Sequence, residues 1–161
     1  MAKEGLFIDV KKFDQDMRRI ITKAAPELRE KGMKLAGRQL YQDCYTQFPA
    51  VPYAPFGRKG AGSLRGSGSL FVNNKLVGFG DPTNPQSPTG KASKTNFEPR
   101  KKGETVAVVG FNAKYATRSH EIPHKRHMHP GTGYKFLESK LVRNKNKYMK
   151  IVADYIRRHS R

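Results

Sequence analysis

The sequence predicts an α+β fold: a small antiparallel sheet packed against a long amphipathic helix and a C-terminal helix, with long extended loops. Three observations predict it. Apolar residues recur at three- and four-residue steps between about 13 and 48 and again from about 134 to 158, the spacing of one helix face. Short β-branched and aromatic runs occupy the middle of the chain. Stretches rich in Pro and Gly, too irregular for regular structure, separate these parts.

The N-terminal helical region spans about 10–48 and divides at Pro26, because proline is tolerated in the first turn of a helix and breaks an interior. Phe13, Met17, Ile20 and Ile21 belong to a first piece. In the second, Met33, Ala36, Leu40, Cys44 and Phe48 form the stripe expected to face the core, with Arg29, Lys34, Arg38 and Gln42 mostly off it. Gly32 and Gly37 each weaken a helix by about 1 kcal/mol relative to alanine, which points either to close backbone approach at those positions or to simple tolerance. The segment FPAVPYAPFGRKGAGSLRGSG that follows is a long connection.

The sheet and its loops fall within about 62–130. SLFVNNKLVGFG reads as a strand pair turning at Asn73 and Asn74, and ETVAVVGF, from Glu104 to Phe111, as a further strand expected at the centre of the sheet. Between them, about 81–103, four prolines and many small polar residues predict a protruding loop or arm, either plainly disordered in the isolated chain or reaching a neighbour that orders it in an assembly. The last helix, about 134–158, carries Phe136, Leu137, Leu141, Tyr148, Ile151, Val152, Tyr155 and Ile156 as its apolar stripe. A chain of 161 residues has length for one core, so 1–161 is expected to be a single domain.

Thirty-two Lys and Arg against thirteen Asp and Glu give a formal charge of +19, far beyond what solubility requires, so an anionic partner is expected and nucleic acid leads. The lone Cys44 excludes an internal disulfide and a Cys-rich zinc site, and its spacing places it in the core. Mean hydropathy is −0.75, and no run of about eighteen apolar residues occurs, so neither a signal peptide nor a membrane span is expected.

Four of five histidines, His120, His124, His127 and His129, crowd into YATRSHEIPHKRHMHPGTGYKFLESKL. Pro123 and Pro130 argue against a helix that would align them as metal ligands, so the reading is a structural or interfacial loop without metal. The nearby acids are Glu121 and Glu138, and no GxxxxGK loop, GxSxG elbow or paired catalytic carboxylates accompany them, so no catalytic residue and no cofactor is assigned. Candidate contacts to DNA or a protein partner are Arg58, Lys59 and Arg65 in one Gly-rich segment, Arg100, Lys101 and Lys102 in another, and Arg118, Lys125 and Arg126 in the histidine region. No base-reading motif is present, so such contacts would be non-specific.

The order of words along the chain resembles the tailed-bacteriophage neck family, the head–tail joining or tail-completion proteins often labelled minor capsid proteins. The residues that carry the resemblance are Gly62, Leu64, Arg65 and Ser67, then Tyr115, Ala116, His120 and Glu121, then Gly133, Lys135, Phe136, Leu137 and Glu138. It spans about 26–158. The chain departs from the family pattern at Ala61, where threonine is usual, and in its longer 81–103 loop. The resemblance implies a non-enzymatic virion subunit, assembled in the host cytoplasm into a six- or twelve-fold homo-oligomeric ring of the neck. Its partners would be the portal-side connector, tail-side proteins and, non-specifically, packaged DNA. The alternative from charge alone is a basic, non-sequence-specific nucleic-acid-binding protein, such as a ribosome-associated one.

Overall fold

The computed structural model describes residues 10–52, 63–84, 103–113, 115–123 and 131–160. Along these run α1 (Val10–Lys23), α2 (Pro26–Thr46), α3 (Ser63–Gly66), β1 (Gly68–Val72), β2 (Lys75–Phe79), β3 (Ala107–Phe111), α4 (Ala116–Glu121) and α5 (Glu138–His159). The fold is α+β. The strands form one antiparallel sheet in the order β2-β1-β3.

The break between α1 and α2 follows from Pro26. Ala25 is held extended at φ −57°, ψ 143°, as a residue before proline must be, and Pro26 takes the first helical position, where its missing N–H costs nothing. The helix then runs to Thr46.

Helix α2 is buried on two sides, so its burial extends beyond the predicted stripe to Tyr41 and Tyr45. Tyr41, Cys44 and Tyr45 join Leu70, Val72 and Val109 of the sheet in one apolar cluster. Ala36, on the other side, packs with Tyr148, Val152 and Ile156 of α5, and Met33 and Leu40 flank both clusters. The two helical glycines lie at the two closest approaches. A Cβ on Gly32 would sit 3.2–3.3 Å from Val152, including its backbone, and one on Gly37 would sit 2.9 Å from a Leu70 methyl. Sheet, α2 and α5 thus form successive layers, with α2 as the direct cover of the sheet. Full burial of Leu70 and Val72 in the sheet cluster is worth about 1.5–3 kcal/mol each.

Two members of the expected stripes point outward. Phe48 lies beyond the end of α2 and is 68% exposed, and Leu141 is 47% exposed while its neighbour Lys140 is buried. Helix α5 also starts at Glu138, later than the apolar pattern suggested. Lys135 has a left-handed backbone, φ 56°, through which a right-handed helix cannot run.

The turn at Asn73 and Asn74 has φ 48° and 66°, the double positive φ of a two-residue type I′ hairpin. Among the described residues the strand expected at the centre of the sheet is an edge: β3 pairs there with β1 alone, and β1, buried at all five positions, is central. β-branched richness identified a strand but not its place, because an edge strand covered on one face by α2 needs the same residues. The strand is shorter than expected because its ladder ends where β1 turns. There Asn73 donates its N–H to Val106 O at 2.9 Å, and the Val106 N–H returns to Asn73 Oδ1 at 3.2 Å.

Candidate interface built from the motif residues

The segment Leu64–Ser67 opens β1, and each of its named side chains is committed to the interior. Leu64 is 2% exposed in the sheet cluster. Arg65, a candidate DNA contact from the sequence, is instead buried: its Nε donates to Asp81 Oδ2 at 2.6 Å, with both side chains 4% exposed. Its other nitrogens donate to Val51 O at 3.0 Å and Thr83 Oγ1 at 3.1 Å, and the guanidinium lies 5.0 Å from the centre of the Tyr45 ring. A buried charge is tolerable only when paired and hydrogen-bonded, and this pairing takes Arg65 away from any external phosphate.

Burial alone would raise the Asp81 carboxyl. The hydrogen bonds from Arg65 and from the Thr83 hydroxyl and N–H outweigh it and hold the pKa below the ordinary carboxylate value. Tyr45 donates to Arg65 O at 2.6 Å, and Tyr41 donates to Gly80 O. Burial pushes the Tyr41 phenol up to about 12, so it stays a donor at neutral pH. Ser67 donates to Leu64 O at 2.8 Å and accepts N–H bonds from Asn112 at 3.2 Å and Ala113 at 3.1 Å. It thereby fixes the exit of β3 towards Tyr115.

The second and third words meet at the start of α5. Helix α4 brings His120 and Glu121 against the turn that carries Lys135. His120 Nε2 accepts the Glu138 N–H at 3.3 Å, which leaves Nδ1 to carry the proton shared with Glu121 Oε1 at 2.6 Å. His120 therefore satisfies one of the free donors at the N-terminus of α5. Its carbonyl accepts the Lys135 N–H at 2.8 Å, which holds the left-handed residue in place.

Lys135 Nζ lies 2.6 Å from both Glu121 and Glu138. These two partners push its pKa up, and Lys135 followed by His120 pulls that of Glu121 down. Ligand-type atoms of His120, Glu121 and Glu138 lie within 4.8 Å of one another. The Lys135 ammonium already supplies the cation between the carboxylates, and both His120 nitrogens are engaged, so the donor set fits an ion-pair lock better than a metal site. Beneath it Phe136, 1% exposed, meets the rings of Phe111 and His120 edge-on at 5.2 and 4.9 Å. Ile122 and Tyr134, beside the lock in sequence, are exposed at 47% and 43%.

Leu64, Ala116 and Phe136, one residue from each word, share a single apolar cluster. Tyr115 is exposed, Leu137 packs against the same cluster, and Arg118 points to solvent from α4. Gly133 is pressed against Pro49, whose Cβ would be 2.8 Å from an added Cβ. Arg58, Lys59, Gly62, Arg100, Lys101, Lys102, Lys125 and Arg126 lie outside the described residues, as do His124, His127, His129 and most of the 81–103 loop.

A second buried polar group joins α2 to α5 and was missed in the sequence. Asp43, 2% exposed, accepts bonds from Gln39 at 2.7 Å and from Lys147 and Tyr148 at 2.9 Å. Lys140, 1% exposed, donates to Pro49 O at 2.7 Å and to Ser139 Oγ at 3.1 Å, and burial pulls its pKa down. The signal available was positional: Asp43 and Lys140 interrupt apolar faces where a solvated charge would not be placed.

Comparison of the chain with protein-family models, with curated proteins and with solved structures finds no match. Among the described residues, no helix is long and apolar enough to cross a membrane.

Proposed function

We propose that this chain is a non-enzymatic structural subunit of a tailed-phage neck, part of the ring that joins the DNA-filled head to the tail. The observation that carries the reading is the convergence of the three motif words. Residues separated by up to about seventy positions, Leu64, Ala116 and Phe136, meet in one cluster, which the Arg65–Asp81 pair joins through the Tyr45 ring and the Lys135 lock joins through the contact of His120 with Phe136. In that arrangement the titratable motif residues hold backbone segments together, a role suited to a rigid assembly unit. The +19 charge supports a position beside packaged DNA. The exposed Ile122, Tyr134 and Arg118 around the lock suit contacts with neighbouring ring layers.

Light scattering on the purified chain, together with mass spectrometry of purified particles, tests the proposal. A closed ring and a fixed copy number per virion are expected. A monomer that is missing from particles and instead co-sediments with ribosomes would replace this reading with that of a basic nucleic-acid-binding protein.

A further inference from the structure

Helix α5 carries seven Lys or Arg against two acids, and the distribution of these charges around it is uneven. One row, Lys140, Tyr148, Val152 and Ile156, is buried. Arg143, Lys150 and Arg157 recur every seven residues, all exposed, on a line turned away from that row. At 1.5 Å per residue the three are about 10.5 Å apart and the line is about 21 Å long.

The acids near this line are already used. Asp43 lies buried against Lys147, Glu138 is tied to Lys135, and Asp154 pairs with Arg157 at 3.3 Å. Among the described residues, no carboxylate is paired with Arg143 or Lys150. Among the described residues the line therefore presents two uncompensated cations, Arg143 and Lys150, beside Arg157, which shares its charge with Asp154, on a helix held by its opposite face, whereas Arg65, in the Gly-rich segment, is turned inward.

We propose that the outward face of α5, through Arg143, Lys150 and Arg157, is the surface that lies along the phosphate backbone of double-stranded DNA. This rests on the DNA-adjacent part of the proposed function and names the face that serves it. A duplex fits because each strand carries one phosphate for about every 3.4 Å of helix axis, so a line of about 21 Å laid parallel to the axis spans roughly six phosphates of each strand. Long, flexible cationic side chains can each settle on one without reading sequence. The adjoining C-terminal turn, with Arg158 and His159 exposed, extends the same end of the helix.

Binding of the full chain to a labelled mixed-sequence duplex, followed by anisotropy across a salt series, tests the assignment. In the R143Q/K150Q variant the slope of log K against log salt should shrink by about 1.8, two phosphate contacts at about 0.9 each, with weakening uniform across sequences. The variant K31Q/R38Q removes two equally exposed cations from α2 and should keep the wild-type slope. All four side chains are exposed, and unchanged thermal melts certify the fold of both variants. An unchanged slope in R143Q/K150Q, or an equal loss in K31Q/R38Q, overturns the assignment and leaves the neck reading standing. Binding of polyglutamate as tightly as duplex at equal salt overturns it in favour of an acidic protein partner. Failure of the neck reading is seen separately, as absence of the chain from purified particles.

Discussion

Asp81→Ala removes the buried carboxylate partner of Arg65 and leaves a guanidinium, 4% exposed, whose remaining partners, Val51 O, the Thr83 hydroxyl and the Tyr45 ring among them, carry no charge to match the one Asp81 supplied. Breaking one side of a buried pair costs about 3–5 kcal/mol, chiefly because the remaining charge stays desolvated. For a domain of this size that corresponds to a fall of roughly 6–20 °C in Tm. Replacing both partners, Arg65→Met with Asp81→Leu, should cost much less than the sum of the single changes, since no charge is then stranded. Urea denaturation of wild type, Arg65→Met, Asp81→Leu and the double variant gives the coupling. The pH dependence has a definite sign. The Asp81 carboxyl has its pKa lowered by folding, so its stabilisation is fully present above the unfolded value of about 3.9 and is lost as pH falls through the folded one. The gap between wild type and Asp81→Asn should therefore narrow below about pH 4. A single Asp81→Ala change costing under about 1 kcal/mol, or strict additivity in the double variant, would refute a buried, mutually dependent pair.

Gly32→Ala should destabilise despite better helix propensity, because overpacking against the Val152 backbone costs about 1–3 kcal/mol and the propensity gain is about 1; urea midpoints decide, and a stabilised variant would mean α2 and α5 are further apart. His120→Ala should lose about 0.5–2 kcal/mol through the unmade bond to the start of α5, with hydrogen exchange rising first at the Glu138 amide; unchanged exchange there would remove His120 from that role. Cys44, fully buried with its thiol pushed up to about 12, should react with a thiol reagent only after denaturation, and rapid labelling of the native protein would contradict the packing of α2 on the sheet.

The parts legible in the sequence were those fixed by local chemistry. Pro26 set the helix break, Asn73 and Asn74 set the hairpin, and β-branched runs set the strands. Gly32 and Gly37 left close approach and mere tolerance both open, and the contacts with Val152 and Leu70 decide for close approach, on two different sides of one helix. What depended on tertiary placement was not legible. An edge strand covered by a helix has the composition of a central one, so β3 was misplaced. Arg65 in a glycine-rich run has the pattern of a phosphate contact, and only its juxtaposition with Asp81, sixteen residues on, turns it inward. Lys140 and Leu141 exchange places relative to the apolar pattern because Pro49 offers a carbonyl to the ammonium.

The most direct measurement of the neck proposal is electron microscopy of particles assembled from a phage genome in which the codons for this chain are interrupted. DNA-filled heads and finished tails should accumulate separately, and supplying the chain in trans should restore joined particles. Normal yields of joined, infectious particles without the chain would contradict the proposal.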